Sequence, residues 1–179
     1  MLGVFHRVFR KLWRADWVTL AAVHGHCLGG GMELAVACDF VLATHTARFG
    51  QPEIKLACFP PVAAILLPAL VGPRRALDLI LTGRTLTAEQ AHALGLVTEV
   101  VGEGELDAAV AKLLATLAEL SPAALPLARR AVLRAPGLDF ERALDEMEKL
   151  YLDTLMKTAD AAEGIRAFIE RRKPVWTGR

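Results

Sequence analysis

The spacing of hydrophobic and polar residues changes close to residue 104 of this 179-residue chain. Before that point, unbroken apolar runs such as WVTLAAVHG at residues 17–25 alternate with segments of helical spacing such as RRALDLILTG at residues 74–83. An unbroken apolar run is typical of a strand that is covered on both faces, as in a parallel sheet. Later in the chain, four successive segments all have helical spacing. The pattern predicts an α/β region over residues 1–103 and a helical region over residues 104–179.

Turn and capping residues predict where several of these elements begin and end. Gly83 follows the last apolar position of a helical segment and is expected to stop that helix. Thr87 and Gln90 have the spacing of a capping box, in which each side chain bonds the other residue's backbone amide. Residues 40–50 predict one or two further strands, and Pro136–Gly137 predicts a break between two of the later helices.

The first residues of the chain form a basic, amphipathic segment. Its spacing predicts a surface helix whose side chains Val4, Phe5, Val8 and Leu12 face a core. It lacks the uninterrupted apolar centre of a secretory signal, and the longest apolar run, residues 60–72, is too short and contains too many prolines to cross a bilayer. We therefore expect a cytoplasmic protein without a membrane anchor.

The composition narrows the function classes. Lys and Arg number 21 against 20 Asp and Glu, so no excess of positive charge favours a nucleic-acid partner. Hydrophobic residues make up 54% of the chain, which indicates extensive burial or contacts between subunits. The three cysteines are an odd number in apolar surroundings and are expected to be reduced, buried thiols.

Three consecutive glycines, Gly29–Gly31, lie between a predicted strand and a helix in the segment GHCLGGGMEL. Backbone amides at the start of a helix have no helical partner, so they can receive a phosphate or an oxyanion that forms during a reaction. The chain has neither the G-x-x-x-x-G-K-[ST] nor the G-x-G-x-x-G phosphate motif, and the carboxylate of Glu33 would repel a bound phosphate. The segment therefore favours a transient oxyanion beside an acid or base.

Other nucleophiles and metal ligands have weaker support. Ser121 is the only serine of the chain and precedes a proline at a helix start, where capping is its expected role. Cys27 and His26 are adjacent on a predicted strand, so their side chains point to opposite faces and do not pair easily. A zinc site of His24, His26 and Cys38 would need a fourth ligand that the sequence does not identify, and we expect no metal.

Glu53 is the second candidate carboxylate and lies in the segment FGQPEIKL at residues 49–56. Like Glu33, it comes just after turn-forming residues in an apolar segment, with Pro52 suited to a first helical position. One acid in a first helical turn usually only complements the helix dipole. Two such carboxylates together favour general acid–base catalysis.

The motif G-x-x-x-G-G-G-x-E-L followed by F-G-Q-P-E resembles that of the enoyl-CoA hydratase/isomerase (crotonase) superfamily. The resemblance extends through nearly the whole chain, as far as the tail AFIERRKPVWTGR. It implies an α/β, crotonase-like (ClpP/crotonase) fold, in which residues 1–103 form part of a ββα spiral core. Residues 104–179 would be a C-terminal helical oligomerisation region, giving a homotrimer or a dimer of trimers. The implied substrate is an acyl-CoA thioester, with no further cofactor.

The resemblance also implies a role for five residues. Glu33 would position and deprotonate a water, and Glu53 would deliver a proton to the α-carbon of the thioester. The N–H of Gly30 would be one of two donors to the enolate oxyanion. Phe168 and Arg171 would help to hold the adenosine end of CoA, although from the helical pattern alone Phe168 would be a core residue and Arg171 part of a solvated face.

With both glutamates present, the resemblance favours a lyase that hydrates an enoyl-CoA, as in fatty acid metabolism. A Δ-isomerase of the same superfamily and a non-catalytic, oligomer-forming fragment are the alternatives. Where most members have P-G-x-G-G, this chain has residues 60–64, PPVAA, which must reshape the acyl pocket. This stretch is similar to hydratases of alicyclic dienoyl-CoA thioesters, which act in aromatic degradation. Roughly the first third of a family member, including the other oxyanion donor, is expected to be absent.

Overall fold

A computed structural model describes residues 2–135 and 137–179 of the chain. Pro136, part of the predicted helix break, lies outside the described residues. The chain divides into two compact units. The second unit comprises Asp16–Val18 and Leu113–Arg179, and the first contains the other described residues up to Lys112.

The described elements confirm the α/β pattern of the first hundred residues and the helical pattern of the rest. In chain order they are α1 (Leu2–Trp13), β1 (Leu20–Val23), β2 (His26–Leu28), α2 (Gly30–Val36), β3 (Phe40–Thr44), β4 (Arg48–Gly50), α3 (Ala63–Val71), α4 (Pro73–Thr82), β5 (Thr85–Thr87), α5 (Ala88–Ala93), β6 (Glu99–Val101), α6 (Leu106–Ala118), α7 (Ala124–Arg134), α8 (Phe140–Asp153) and α9 (Ala159–Glu170), with 3₁₀ turns at Pro52–Leu56 and Leu155–Lys157. None of the described helices is both long and apolar enough to cross a membrane.

In the described part of the chain the strands form two small sheets. One sheet has the order β1-β3-β6 and is parallel throughout, with Leu20 opposite Phe40 and Leu42 opposite Glu99. The other has the order β2-β4-β5, in which β2 and β4 are parallel and β5 runs antiparallel to β4. Because β2 and β4 are neighbours, the ends of both strands lie together, and each leads directly into a segment that contains a candidate glutamate.

The core of the first unit is formed by apolar side chains from both sheets and from the helices that cover them. The largest completely buried apolar side chains include Met32, Leu42, Phe49, Leu67 and Leu79. Each such side chain contributes about 1.5–3 kcal/mol when it is removed from water, so these residues fix the positions of α2, β3, β4, α3 and α4. The start of α2 and the turn after β4 are therefore held on a rigid base.

Local signals placed the ends of several elements correctly. Gly83 has a φ of 60° and ends α4, as expected for a residue in the left-handed region. Thr87 caps α5, and Gln90 completes the capping box by accepting a bond from the Thr87 amide. Thr87 accepts in turn from the Gln90 amide.

The predicted core-facing side of α1 is wrong in part. Val4 and Val8 are 59% and 45% exposed, whereas Phe9 is buried. The rings of Phe5 and Phe9 meet edge to face with their centroids 4.9 Å apart. Phe5, which was also predicted to face the core, is 37% exposed, so only Phe9 of the two rings is buried.

The second unit is helical and contains a buried polar cluster. The Asp160 carboxylate, at the start of α9, accepts hydrogen bonds from the Ser121 hydroxyl, the Thr177 amide and hydroxyl, and the Gly178 amide. The Ser121 bond is the largest of the effects that lower the pKa of Asp160 from 3.8 to about 2. Ser121 also accepts from the amides of Ala123 and Ala124, which confirms its predicted capping role.

Candidate active site

The three glycines Gly29–Gly31, here called the glycine turn, lead from β2 into α2. The conformation of the first of them explains why this position has no side chain. Gly29 has φ 54° and ψ −127°, a conformation that side chains rarely adopt. Its N–H donates to the carbonyl of Gly50 at the end of β4, and its carbonyl accepts from the Glu33 amide, both over 2.9 Å. A Cβ atom at Gly29 would lie 2.6 Å from Oε1 of Glu53. Only glycine allows the Glu53 carboxylate to approach the backbone this closely.

Gly30 is the first residue of α2, so its amide precedes the helical hydrogen-bond ladder. A Cβ atom at Gly30 would lie 2.9 Å from Cζ of Phe5, which shows that the Phe5 ring of α1 packs against this Cα. Gly31 is different, because a Cβ atom there would meet nothing within 4 Å. The turn thus contacts Glu53 at its first glycine and α1 at its second.

Glu33 is buried, with 3% of its surface exposed. Its Oε1 accepts hydrogen bonds from the backbone amides of Val62 and Ala63, both over 2.9 Å. These amides are at the start of α3, where the helix dipole stabilises a negative charge. Both bonds end on Oε1, so the carboxylate is fixed through one oxygen and Oε2 takes no part in them. Sequence reasoning did not predict this anchor.

Glu53 lies in the 3₁₀ turn that Pro52 opens, as its sequence predicts. Its Oε1 is the atom next to Gly29, and its Oε2 is buried without a hydrogen-bond partner among the described residues. The preceding residue, Gln51, is completely buried, and neither polar atom of its amide has a partner in the same part of the chain. Buried polar groups without partners are rare in folded proteins and are often found at functional sites.

The structure places the candidate site residues in both units. Gly30, Glu33 and Glu53 belong to the first unit. Gly30 is part of the glycine turn, Glu33 follows it in α2, and Glu53 contacts it at its first residue. Phe168 and Arg171 lie at the end of α9 in the second unit. Phe168 is 84% exposed, so the interpretation of this residue as part of a core is wrong. Arg171 has a φ of 53° and caps α9 with its backbone.

A cavity of about 320 Å³ lies in the first unit, between α1 and the start of α3. Two residues of its wall are bonded to Glu33: the Val62 amide donates to the Glu33 carboxylate, and the Ala37 amide donates to the Glu33 carbonyl over 3.1 Å. The substituted stretch at residues 60–64 contributes two side chains to this wall. The lining residues are His6, Phe9, Arg10, Trp13, Arg14, Ala37, Pro61, Val62, Ile65 and Leu66.

The alternative nucleophile does not gain support from the structure. Cys27 is buried, and its burial raises the pKa of the thiol from 9.0 to about 11. A thiol with this pKa is protonated at neutral pH and is a weak nucleophile. Across residues 2–135 and 137–179, no group of three or more His, Cys, Asp or Glu side chains is arranged to hold a metal ion.

Comparisons with known proteins agree with the motif and the fold. A family model described as enoyl-CoA hydratase/isomerase matches residues 3–179. The chain is 38% identical to cyclohexa-1,5-dienecarbonyl-CoA hydratase of Thauera aromatica over 179 residues, which are all of this chain and 69% of that protein. It is 37% identical to carnitinyl-CoA dehydratase of Salmonella paratyphi A over 173 residues, 94% of this chain and 66% of that protein.

Solved structures extend the likeness to the fold. The crystal structure of an enoyl-CoA hydratase from Bacillus anthracis superposes with a TM-score of 0.93 and 34% sequence identity. The match covers 99% of this chain and 69% of the other. The fold is therefore crotonase-like, and the chain spans about two thirds of the length of these relatives.

Proposed function

Because the chain belongs to the enoyl-CoA hydratase/isomerase family, we propose that it hydrates an enoyl-CoA or alicyclic dienoyl-CoA thioester by reversible syn addition of water. One observation carries the proposal. Glu33 is a buried carboxylate of α2 that is fixed by two backbone amides, and Gly29, directly before this helix, contacts Glu53. Two carboxylates that border one turn can act on the two carbons of one double bond.

In this proposal Glu33 activates the water. Its Oε1 is held by the Val62 and Ala63 amides, so the carboxylate has a fixed direction and Oε2 can accept a proton. The water oxygen bonds to the β-carbon while one of its protons passes to Glu33. The electron pair of the double bond moves toward the thioester carbonyl, whose oxygen gains negative charge.

Gly30 and Glu53 complete the addition. The Gly30 amide would donate to the thioester oxygen as its charge grows, and a donor of this kind lowers the barrier by about 2.7–4 kcal/mol. Glu53, in its protonated form, gives its proton to the α-carbon. At the end Glu33 holds a proton and Glu53 has lost one, and exchange with solvent restores both. No group beyond the CoA thioester itself is needed for these steps.

Two observations support a proposal for the acyl group of the substrate. Pro61, which stands where most members have a glycine, and the following residue Val62 line the cavity between α1 and α3 and restrict its shape. The relative from Thauera aromatica is named for a cyclic dienoyl thioester. Both favour a compact acyl group.

The second unit would hold the CoA moiety and join copies of the chain. The exposed ring of Phe168 and the side chain of Arg171 would contact the adenosine end of CoA. Large apolar side chains of this unit are exposed, Phe140 by 75% and Ile169 by 73%, and they would be covered in a homotrimer or a dimer of trimers.

The test of the proposal is hydration of crotonyl-CoA by the chain and by the variants Glu33→Gln and Glu53→Gln. Each variant keeps the size of the side chain but cannot exchange a proton, and we expect a loss of about 10²–10⁴-fold in kcat. Glu99→Gln, an exposed residue of β6 in the same unit, is the matched control and should retain full activity. Undiminished turnover by either site variant would contradict the mechanism.

The alternative of a Δ-isomerase has a separate readout in the same experiment. An isomerase moves the double bond of a 3-enoyl-CoA to the 2-position and needs only one proton-carrying carboxylate. Conversion of 3-hexenoyl-CoA without hydration of crotonyl-CoA would therefore identify an isomerase. An inactive chain that still forms oligomers would support the non-catalytic fragment.

A further inference from the structure

The cavity between α1 and α3 has positive charge on one side of its wall. Its lining includes apolar side chains such as the buried Phe9, whereas Arg10 of α1 and Arg14, just after the end of α1, contribute positive charge. The Arg14 amide donates to the Arg10 carbonyl over 3.3 Å, which continues the last helical turn and places the two arginines on the same side. In the described part of the chain, no Asp or Glu lines the cavity. The positive charge is therefore not balanced at the wall.

These basic side chains also have unused bonding capacity. Neither Arg10 nor Arg14 has an ion-pair partner among residues 2–135 and 137–179. His6, one helical turn before Arg10, lines the same cavity, and its Nε2 is buried without a partner within those residues. A guanidinium group can bind a carboxylate with two parallel hydrogen bonds, and no carboxylate of the described residues forms an ion pair with Arg10 or Arg14.

The cavity and the candidate site have Val62 in common. Val62 and Ala37 form part of its wall, and each donates a backbone hydrogen bond to Glu33. α1 also packs on the glycine turn, because the Phe5 ring lies against Gly30. A substrate whose double bond lies beside Glu33 would therefore have this cavity next to its acyl group.

We propose that the cavity binds the far end of the acyl group and selects acyl groups that end in a carboxylate. This inference rests on the proposed function, because it takes the reacting double bond to lie beside Glu33. The apolar part of the lining would contact the methylene groups, and Arg10 and Arg14 would bind the terminal carboxylate. A volume of about 320 Å³ is at the lower end of the range for ligand cavities, which fits a short acyl group. The substrate class is thus a short enoyl-CoA with a distal carboxylate.

The test compares binding of two saturated thioesters of equal length that the enzyme cannot hydrate. The full chain is titrated in a calorimeter with adipoyl-CoA, which ends in a carboxylate, and with hexanoyl-CoA, which ends in a methyl group. We expect adipoyl-CoA to bind about tenfold more tightly, as two partly exposed charge contacts allow. The variant Arg10→Gln with Arg14→Gln should reduce this ratio to about one.

A matched control removes the same amount of charge from the same N-terminal segment. Arg7→Gln with Lys11→Gln changes two exposed residues of α1 outside the cavity, and it should keep the tenfold preference. Circular dichroism of both double variants checks that they are folded.

Three results would overturn the inference. The first is equal binding of the two thioesters by the unmodified chain, or tighter binding of hexanoyl-CoA. The second is an equal loss of affinity for both thioesters in the Arg10 and Arg14 variant, which would mean that these arginines hold the CoA moiety instead. The third is binding of neither thioester. This result would contradict the proposed function as well, whereas the first two results would contradict only the present inference.

Discussion

Replacement of Gly29 by alanine tests whether the position of Glu53 depends on the glycine turn. The added Cβ would lie 2.6 Å from Oε1 of Glu53, and real Cβ atoms essentially never approach a neighbour within 3.0 Å. The carboxylate must therefore move by about 0.4 Å. Because a misplacement of 1 Å can cost about 10²-fold in rate, a shift of this size predicts a loss of roughly tenfold in kcat.

The same substitution also strains the backbone. Gly29 has a φ of 54° and a ψ of −127°, and alanine in such a conformation costs about 1–3 kcal/mol. For a chain of this length, 1 kcal/mol corresponds to about 2–4 °C in Tm, so the expected decrease in Tm is about 2–12 °C. Thermal unfolding followed by circular dichroism measures this effect, and loss of the enoyl-thioester absorbance during crotonyl-CoA hydration measures kcat.

Alanine substitutions at two other glycines distinguish the effect of backbone strain from the effect of moving Glu53. Gly25 also has a positive φ, 66°, but a Cβ there would meet nothing within 4 Å, so Gly25→Ala adds strain without moving a carboxylate. Gly31→Ala adds neither and should raise helix stability by up to about 1 kcal/mol. If the kcat of Gly29→Ala is within twofold of that of Gly25→Ala, the contact with Glu53 does not control the reaction.

Two further predictions concern the polar cluster of the second unit. The folded-state pKa of Asp160 is lowered from 3.8 to about 2, so its contribution to stability is complete above pH 4 and is lost as the pH falls toward 2. Asp160→Asn should therefore reduce the decline of the urea midpoint between pH 4 and pH 2, whereas the control Asp145→Asn should leave that decline unchanged. An unaltered decline in Asp160→Asn would contradict the contribution assigned to the Asp160 carboxylate. Ser121→Ala removes both a donor to Asp160 and the acceptor for the amides of Ala123 and Ala124 at the start of α7. It should cost about 1–3 kcal/mol in urea unfolding at pH 7, and a cost near zero would refute the cap.

Features that depend on neighbouring residues could be predicted from the sequence. The capping box of Thr87 and Gln90 and the stop at Gly83 are properties of a few adjacent residues, and the structure confirms them. The predicted strand over residues 17–25 is real but shorter, because only Leu20–Val23 pairs with β3.

Features that depend on distant residues could not be predicted in this way. The strands β2 and β5 have three residues each, which is too short for an alternating pattern to be recognised. The anchor of Glu33 joins it to amides 29 and 30 residues later in the chain. The side of α1 that faces the core was also missed, because apolar residues lie on more than one side of this helix: Val4 is exposed, whereas Phe9 is buried.

The candidate site was located by its motif rather than by periodicity. Glycines before Glu33 and a proline before Glu53 indicated turns, and the resemblance joined the two segments into one site. The structure supplies the physical reason for their proximity, since β2 pairs with β4 and Gly29 donates to Gly50. The roles of the two glutamates stay predictions.

The most direct measurement of the central claim is exchange of the α-protons of butanoyl-CoA in D₂O. This saturated thioester has no double bond to hydrate, so exchange needs only a proton carrier at the α-carbon and stabilisation of the enolate oxyanion. If Glu53 carries that proton and Glu33 serves only the water, Glu33→Gln should exchange the α-protons at nearly the rate of the unmodified chain, and Glu53→Gln should be slower by about 10²-fold or more. Rapid exchange by Glu53→Gln, or a comparable loss in Glu33→Gln, would contradict the division of work between the two carboxylates.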